Sequence, residues 1–157
     1  MTYGHGNRDR RVILIAHNIR SLYNIGSLFR TADAAGASKI FLTGYSGTPD
    51  NPKVAKVALG AEKTVLWEKF SNISRLLKKL RKEKFQIVAA EQHSHSISYK
   101  KLISRFPLAL LMGNEIRGLS PAILKKSDVI IEIPMRGKKE SLNVSVAFGI
   151  IIYQILS

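Results

Sequence analysis

Three stretches of the chain set polar, guanidinium and glycine residues directly beside apolar runs, and they are the places where chemistry could be done. The first reads His17-Asn-Ile-Arg-Ser-Leu-Tyr-Asn-Ile-Gly-Ser-Leu-Phe-Arg-Thr31. Asn24, Gly26 and Ser27 surround the expected start of a helix, whose free N–H groups can hold an anion, and Arg30 follows about two turns in. Its five fixed donors match a phosphate or a carboxylate. A capped helix with a surface ion pair would look the same, and spacing alone does not choose. The second reads Leu110-Leu-Met-Gly-Asn-Glu-Ile-Arg-Gly-Leu-Ser-Pro121. Two glycines flank Asn114, Glu115 and Arg117 after a buried run, which lets backbone approach a ligand beside a carboxylate and a guanidinium. A plain turn leading into a helix at Ser120-Pro121 is the competing reading. The third reads Ile131-Glu-Ile-Pro-Met-Arg-Gly-Lys-Lys-Glu-Ser-Leu-Asn-Val-Ser-Val-Ala147, where Pro134 stops a strand and Ser141-Leu-Asn143 is a polar gate into a very apolar helix. Ser141 or Asn143 can serve there as a simple cap, which does not preclude ligand contact.

The elements that must position these loops alternate. Continuous apolar runs at Val12–Ala16, Lys39–Thr43, Thr64–Trp67, Phe85–Ala90, Leu108–Met112 and Val129–Ile133 read as strands. Helical spacing runs from Asn24 as N-cap to Ala35, with Gly36 as the stop, and recurs in Ile73, Leu76, Leu77 and Leu80. Short helices are expected at Val54–Leu59 and Pro121–Lys125, and a last one from Asn143 to Leu156. This pattern predicts an α/β fold with a mostly parallel sheet flanked by helices. Ligand sites in such sheets gather beyond the C-terminal ends of strands, which selects loops 17–24, 91–96, 113–120 and 134–142. Neither a GxGxxG fingerprint nor a P-loop occurs, which disfavours the usual nicotinamide and nucleoside triphosphate sites.

At 157 residues the chain suits one domain, here 12–157 after a short basic tail at 1–11. Twenty-five Lys and Arg against eleven Asp and Glu give a net charge of +14. A field of that sign attracts polyanions and points to nucleic acid. Zero cysteines exclude disulfides, thiolate metal sites and cysteine nucleophiles. The start of the chain has no apolar core like that of a signal peptide, and Val144–Leu156 falls short of the ~18 residues a spanning helix needs. A cytoplasmic, soluble protein without membrane association is expected.

Asn24-Ile-Gly26 with Arg30-Thr31, then Gly113-Asn-Glu-Ile-Arg-Gly-Leu119, then Ile133-Pro-Met with Ser141-Leu-Asn-Val-Ser-Val-Ala147, in that order, resemble motifs one to three of the SpoU/TrmH family of RNA 2′-O-ribose methyltransferases, of the SPOUT class. The resemblance runs from about Val12 to Leu156. It implies a C-terminal deep trefoil knot, an exception to the usual avoidance of knots, and a homodimer that binds S-adenosyl-L-methionine in the knot. Carried over position by position, Gly113, Ile133 and Leu142 contact the cofactor, with Met112, Gly118, Met135 and Ser141 beside them and Ala90 bordering the pocket. The family's motif-one arginine falls on Arg30. A guanidinium stays protonated at neutral pH, so phosphate positioning and charge stabilisation suit it better than proton abstraction. Asn24 and Glu115 would position the substrate and Arg30, and Ser141 and Asn143 complete the catalytic set, with no metal required.

A single domain without the extra N-terminal RNA-recognition domain of larger family members is expected. Arg8, Arg10 and Arg11 in the tail, with Arg30, Arg117, Arg136, Lys138 and Lys139, are the expected RNA contacts. tRNA is favoured as substrate and rRNA kept open. The rival readings are a catalytically silent basic RNA-binding module and a base methyltransferase on the same fold. Six basic residues between Arg75 and Lys84 read as a solvated helix face, Trp67 and Phe85 as core, and His93 with His95 as a pair without the carboxylates a metal site needs.

Overall fold

The structure, a computed structural model of the chain, describes residues 10–157. Seven strands, β1 (Val12–His17), β2 (Lys39–Thr43), β3 (Leu66–Lys69), β4 (Gln86–Ala90), β5 (Ile97–Ser98), β6 (Leu108–Met112) and β7 (Val129–Glu132), form one sheet in the order β3-β2-β1-β6-β4-β7-β5. Every pairing is parallel. The most apolar runs, β1, β2, β4 and β6, take the middle of the sheet and are buried nearly end to end, as strands covered on both faces must be.

Side chains alternate between two cores. On one face Leu14, Ala16, Leu42, Val88 and Leu110 meet α1 (Leu22–Ala35), α2 (Pro52–Ala58), α3 (Ala61–Thr64) and α6 (Val144–Leu156). On the other, Ile13, Ile15, Ile87, Ala89 and Leu111 meet α4 (Ile73–Lys82) and α5 (Pro121–Leu124). Register decides what this scaffold presents. Ala16 and Ala90 both lie opposite Met112, and Ile131 lies opposite Ala90, so β1, β6, β4 and β7 finish at one edge. The loops that follow them therefore leave the sheet together.

Several element boundaries differ from those expected, and three differences have a clear physical cause. α1 starts at Leu22 rather than beyond Asn24, because the Ser21 hydroxyl accepts the Asn24 N–H and takes the cap, which leaves the Asn24 side chain free to reach other loops. Residues 61–64 wind into a helical turn, and β3 starts at Leu66, where it meets Lys39 in register. β5 and a 3-10 turn at Tyr99–Lys101 were not foreseen, since a two-residue strand carries no periodicity and exists only because Ile97 pairs with Ile131. Phe85 is buried, while Trp67, on an outer strand, is half-buried against the core. No helix among the described residues is long and apolar enough to cross a membrane.

Candidate functional site

At the edge where these strands finish lies a cavity of about 380 Å³ between the loops after β4, β6 and β7 and the first turns of α6. All eight residues expected around the cofactor line it: Ala90, Met112, Gly113, Gly118, Ile133, Met135, Ser141 and Leu142. They come from four separate parts of the chain. Parallel strands ending at a common level are what bring them together.

The wall between the first two of these loops is held by a residue the sequence reading passed over. Glu91, one residue past β4, accepts the Leu119 N–H at 2.8 Å, and its carboxylate packs against Gly118. Gly118 has φ of +64°, and a Cβ there would run into that carboxylate, so glycine is needed twice over. Asn114 braces the same loop, its Oδ1 accepting from the Ile116 and Arg117 N–H groups at 2.9 and 2.8 Å. Glu91 could have been flagged by its place in a selected loop, though nothing in its spacing says what it bonds.

A second network joins all three motifs. Asn24 Nδ2 donates to Glu115 Oε1 at 3.2 Å, and Asn143 Nδ2 donates to Asn24 Oδ1 at 3.1 Å. Glu115 also accepts the N–H groups of Arg20 and Ser21 at 3.3 and 3.4 Å, so a carboxylate sits at the N-terminus of α1, where the helix dipole favours it. Asn143 caps α6 as well, its Oδ1 accepting from Ser145 N at 2.9 Å. Of the five catalytic candidates, Asn24, Glu115 and Asn143 are thus hydrogen-bonded in sequence, and Glu115 and Ser141 line the cavity.

Arg30 stands apart. It is exposed on α1 and not among the cavity's lining residues, and Glu115 bonds to residues 20, 21 and 24 rather than to it. Arg136, Lys138 and Lys139 lie exposed in the loop that closes the cavity, and Arg117 lies in the facing loop. Arg10 and Arg11 are elsewhere: their guanidinium groups lie over the Phe106 and Phe85 rings, at 5.1 and 5.5 Å, at the opposite edge of the sheet from this cavity. Arg8 falls outside the described residues. His93 and His95 stack at 5.4 Å, and no group of three metal-ligating side chains occurs among the described residues.

The electrostatics of the cavity oppose those of the chain. Glu91, Glu115, Glu132 and Glu140, four of the eleven acidic residues in a +14 protein, line it. Val144, Ala147 and Ile151 supply an apolar wall. Carboxylates beside an apolar surface suit a ligand with a cationic centre and a flat, poorly solvated portion. S-adenosylmethionine, with its sulfonium, ammonium and adenine, has that character. Behind the first loop, burial and the nearby Lys69 ammonium hold the His17 imidazole below its usual pKa range, and it bonds Thr43 Oγ1 at 2.8 Å. Lys69 is itself pulled down by partial burial.

A parallel α/β domain with its ligand cavity at the strand ends, enclosed by loops from distant parts of the chain, is the class that fold and site define together. The chain belongs to the SpoU rRNA Methylase family, whose sequence profile matches residues 11–153 and so takes in all three loops. It is 35% identical over 148 residues to the tRNA (guanosine(18)-2′-O)-methyltransferase of Aquifex aeolicus, covering 94% of this chain and 69% of that protein. To the 23S rRNA (guanosine-2′-O-)-methyltransferase of Escherichia coli it is 34% identical over 147 residues, covering 93% of this chain and 60% of that protein. Its fold matches that of an AdoMet-bound rRNA methyltransferase from Sinorhizobium meliloti with a TM-score of 0.89 at 28% identity, over 94% of this chain and 56% of that one. Most of the curated relatives are thus longer, the chain spanning about three-fifths of their length.

Proposed function

We propose that this chain is an S-adenosyl-L-methionine-dependent RNA methyltransferase acting on a ribose 2′-hydroxyl, with tRNA favoured as substrate and rRNA next. The observation that carries the reading is the single cavity in which the second and third motifs meet, lined by carboxylates in a basic chain and tied to the first motif through Asn24, Glu115 and Asn143. The lean to tRNA rests on the Aquifex relative, of which the chain covers the larger share.

The bound cofactor supplies an electrophilic methyl group on a sulfonium. The chain's own part is to hold and align, which for an in-line displacement accounts for much of the rate. Gly113, Ile133 and Leu142 present backbone to the cofactor, with Ala90, Met112, Gly118, Met135 and Ser141 shaping the pocket. Asn24, Glu115 and Asn143 keep the first and third loops in register. Arg30, a permanent cation, holds a phosphate of the RNA near the attacking hydroxyl. Arg117, Arg136, Lys138 and Lys139 attract the strand.

The reading includes a homodimer. Val146, Ile150 and Tyr153 expose an apolar stripe along α6, Tyr23 on α1 is 65% exposed, and Arg30 shares its side of α1 two turns on. Pairing two copies there would hide the stripe and give Arg30 a route to a cavity in the pair. The reading also includes the knot. Its support is that the chain leaves β7 near the sheet's edge and returns past loop 113–120 to set Asn143 against Asn24.

The test combines binding with transfer. S-adenosylmethionine at a hundred times its dissociation constant should stabilise the protein by about 2.7 kcal/mol, roughly 5–10 °C in melting temperature. Labelled cofactor with bulk tRNA should place the label on a ribose 2′-oxygen by nucleoside analysis. Arg30→Ala should abolish transfer while sparing the cofactor shift. Label on a base, or cofactor binding without transfer to tRNA or rRNA, would refute the assignment.

A further inference from the structure

Beside the cavity stands an exposed aromatic ring, bonded to one of the cavity-lining residues. Tyr45, in the turn after β2, is 59% exposed, yet it is pinned at three points. Its Oη accepts a 2.7 Å hydrogen bond from Nδ2 of Asn114, a cavity-lining residue that also donates to the Asn18 carbonyl at 3.0 Å. Its backbone N–H donates to Asn18 Oδ1 at 3.1 Å. The carbonyls on either side of it, of Gly44 and Ser46, both accept from Lys69 Nζ, at 2.6 and 2.7 Å.

The turn around it is built tightly. Gly44 has φ of +58°, and a Cβ there would run into the Asn18 side chain, itself on a residue at φ of +54°. Ser46 Oγ accepts from Ile19 N and donates to the Ala16 carbonyl, both at 2.8 Å. A largely exposed ring held at hydroxyl and backbone has already lost some of the freedom that binding would otherwise remove. Ile116, 85% exposed, lies in the loop that Asn114 braces. Arg117 lies in that loop too, and Arg20 follows Asn18 by two residues; both are exposed. An exposed aromatic ring tied through Asn114 to a loop that carries exposed Ile116 and Arg117, with Arg20 near in sequence to its other partner Asn18, matches an unpaired nucleobase with its adjoining phosphates.

We propose that Tyr45 is a stacking platform for an unpaired base of the substrate RNA at the mouth of the cavity, with Arg20 and Arg117 taking the neighbouring phosphates. The proposal rests on the RNA methyltransferase reading and adds to it where the strand lies. It also assigns Asn114 the task of fixing the platform relative to the cofactor cavity.

The experiment compares Tyr45→Phe and Tyr45→Ala in methyl transfer to bulk tRNA, in cofactor affinity by calorimetry, and in quenching of a short single-stranded RNA carrying 2-aminopurine. Loss of stacking should raise the RNA KM of Tyr45→Ala roughly 5- to 100-fold, leave cofactor affinity unchanged and abolish quenching, while Tyr45→Phe, which keeps the ring and loses only the Asn114 bond, retains quenching with a smaller rise in KM. An unchanged KM and quenching in Tyr45→Ala overturns the proposal. Equal damage in both variants, or a matching loss of cofactor affinity, overturns it too, by showing that the hydroxyl merely positions the Asn114 loop. A parent protein that neither binds cofactor nor transfers methyl refutes the enzymatic reading instead, and quenching still tests Tyr45 separately.

Discussion

Glu115 shows how much one side chain can carry. It accepts the N–H groups of Arg20 and Ser21 and the Asn24 amide, so one carboxylate links motif two to motif one and, through Asn24, to Asn143 in motif three. Glu115→Ala leaves those donors short of a partner near a helix N-terminus, and the expected cost is about 1–3 kcal/mol. For a domain of this size that is a fall of several degrees in melting temperature, read by calorimetry or circular dichroism. Glu115→Gln keeps an acceptor oxygen and should recover most of the stability; equal melting of all three proteins would refute the linking role. Asn24, Glu115 and Asn143 were recognisable in the sequence as chemistry-bearing residues. Their mutual bonds were not, because partners 91 and 119 residues apart meet only through the order of strands. Tyr45 was invisible and Glu91 marked only by its place in a selected loop, for the same reason: a lone glutamate after a strand and a lone tyrosine in a glycine-rich turn acquire meaning from Leu119 and Asn114.

At the scale of elements, α6 has two apolar sides. Phe148, Ile151, Ile152 and Ile155 are buried in the core beside the sheet, while Val146, Ile150 and Tyr153 remain exposed along the outer surface. Substituting Val146 and Ile150 together by glutamate should leave the monomer folded and halve the mass seen by analytical ultracentrifugation. It should also reduce methyl transfer if Arg30 acts across the pair. A parent protein that sediments as a monomer would refute the dimer. The central strands were legible because continuous apolar runs have few other places to go, and β2 and β6 have the ends expected. β5, the turn at residues 61–64 and the cap of α1 were not, since they follow from pairing partners and from a competition between Ser21 and Asn24 that spacing does not decide.

Over the whole molecule, positive charge and the negative cavity divide between two ligands. A net +14 attracts polyanions, whereas the four glutamates lining the cavity favour a small cation. Arg136, Lys138 and Lys139 occupy the loop between them. Replacing all three by alanine should weaken tRNA binding at every salt concentration and reduce the slope of log affinity against log salt by about 2, at roughly 0.7–0.9 per phosphate contact. Fluorescence titration across salt concentrations measures it, with cofactor affinity unchanged as the control. An unaltered slope would place the RNA track elsewhere, for instance on the exposed cations of α4.

The sequence by itself determined the class of fold, the edge at which to look and eight cofactor candidates that all line the cavity. Apolar runs and helical spacing are local properties, and in a parallel sheet they oblige the loops to emerge together. Only the tertiary structure decided which loops touch. It placed four glutamates around one cavity, left Arg30 outside the lining of that cavity, sent Arg10 and Arg11 to the far edge and bonded Tyr45 to Asn114. The physical reason is register. Opposing Met112 to Ala16 and Ala90 sets the heights of three loops to within a residue, and a hydrogen bond at 3 Å tolerates no more.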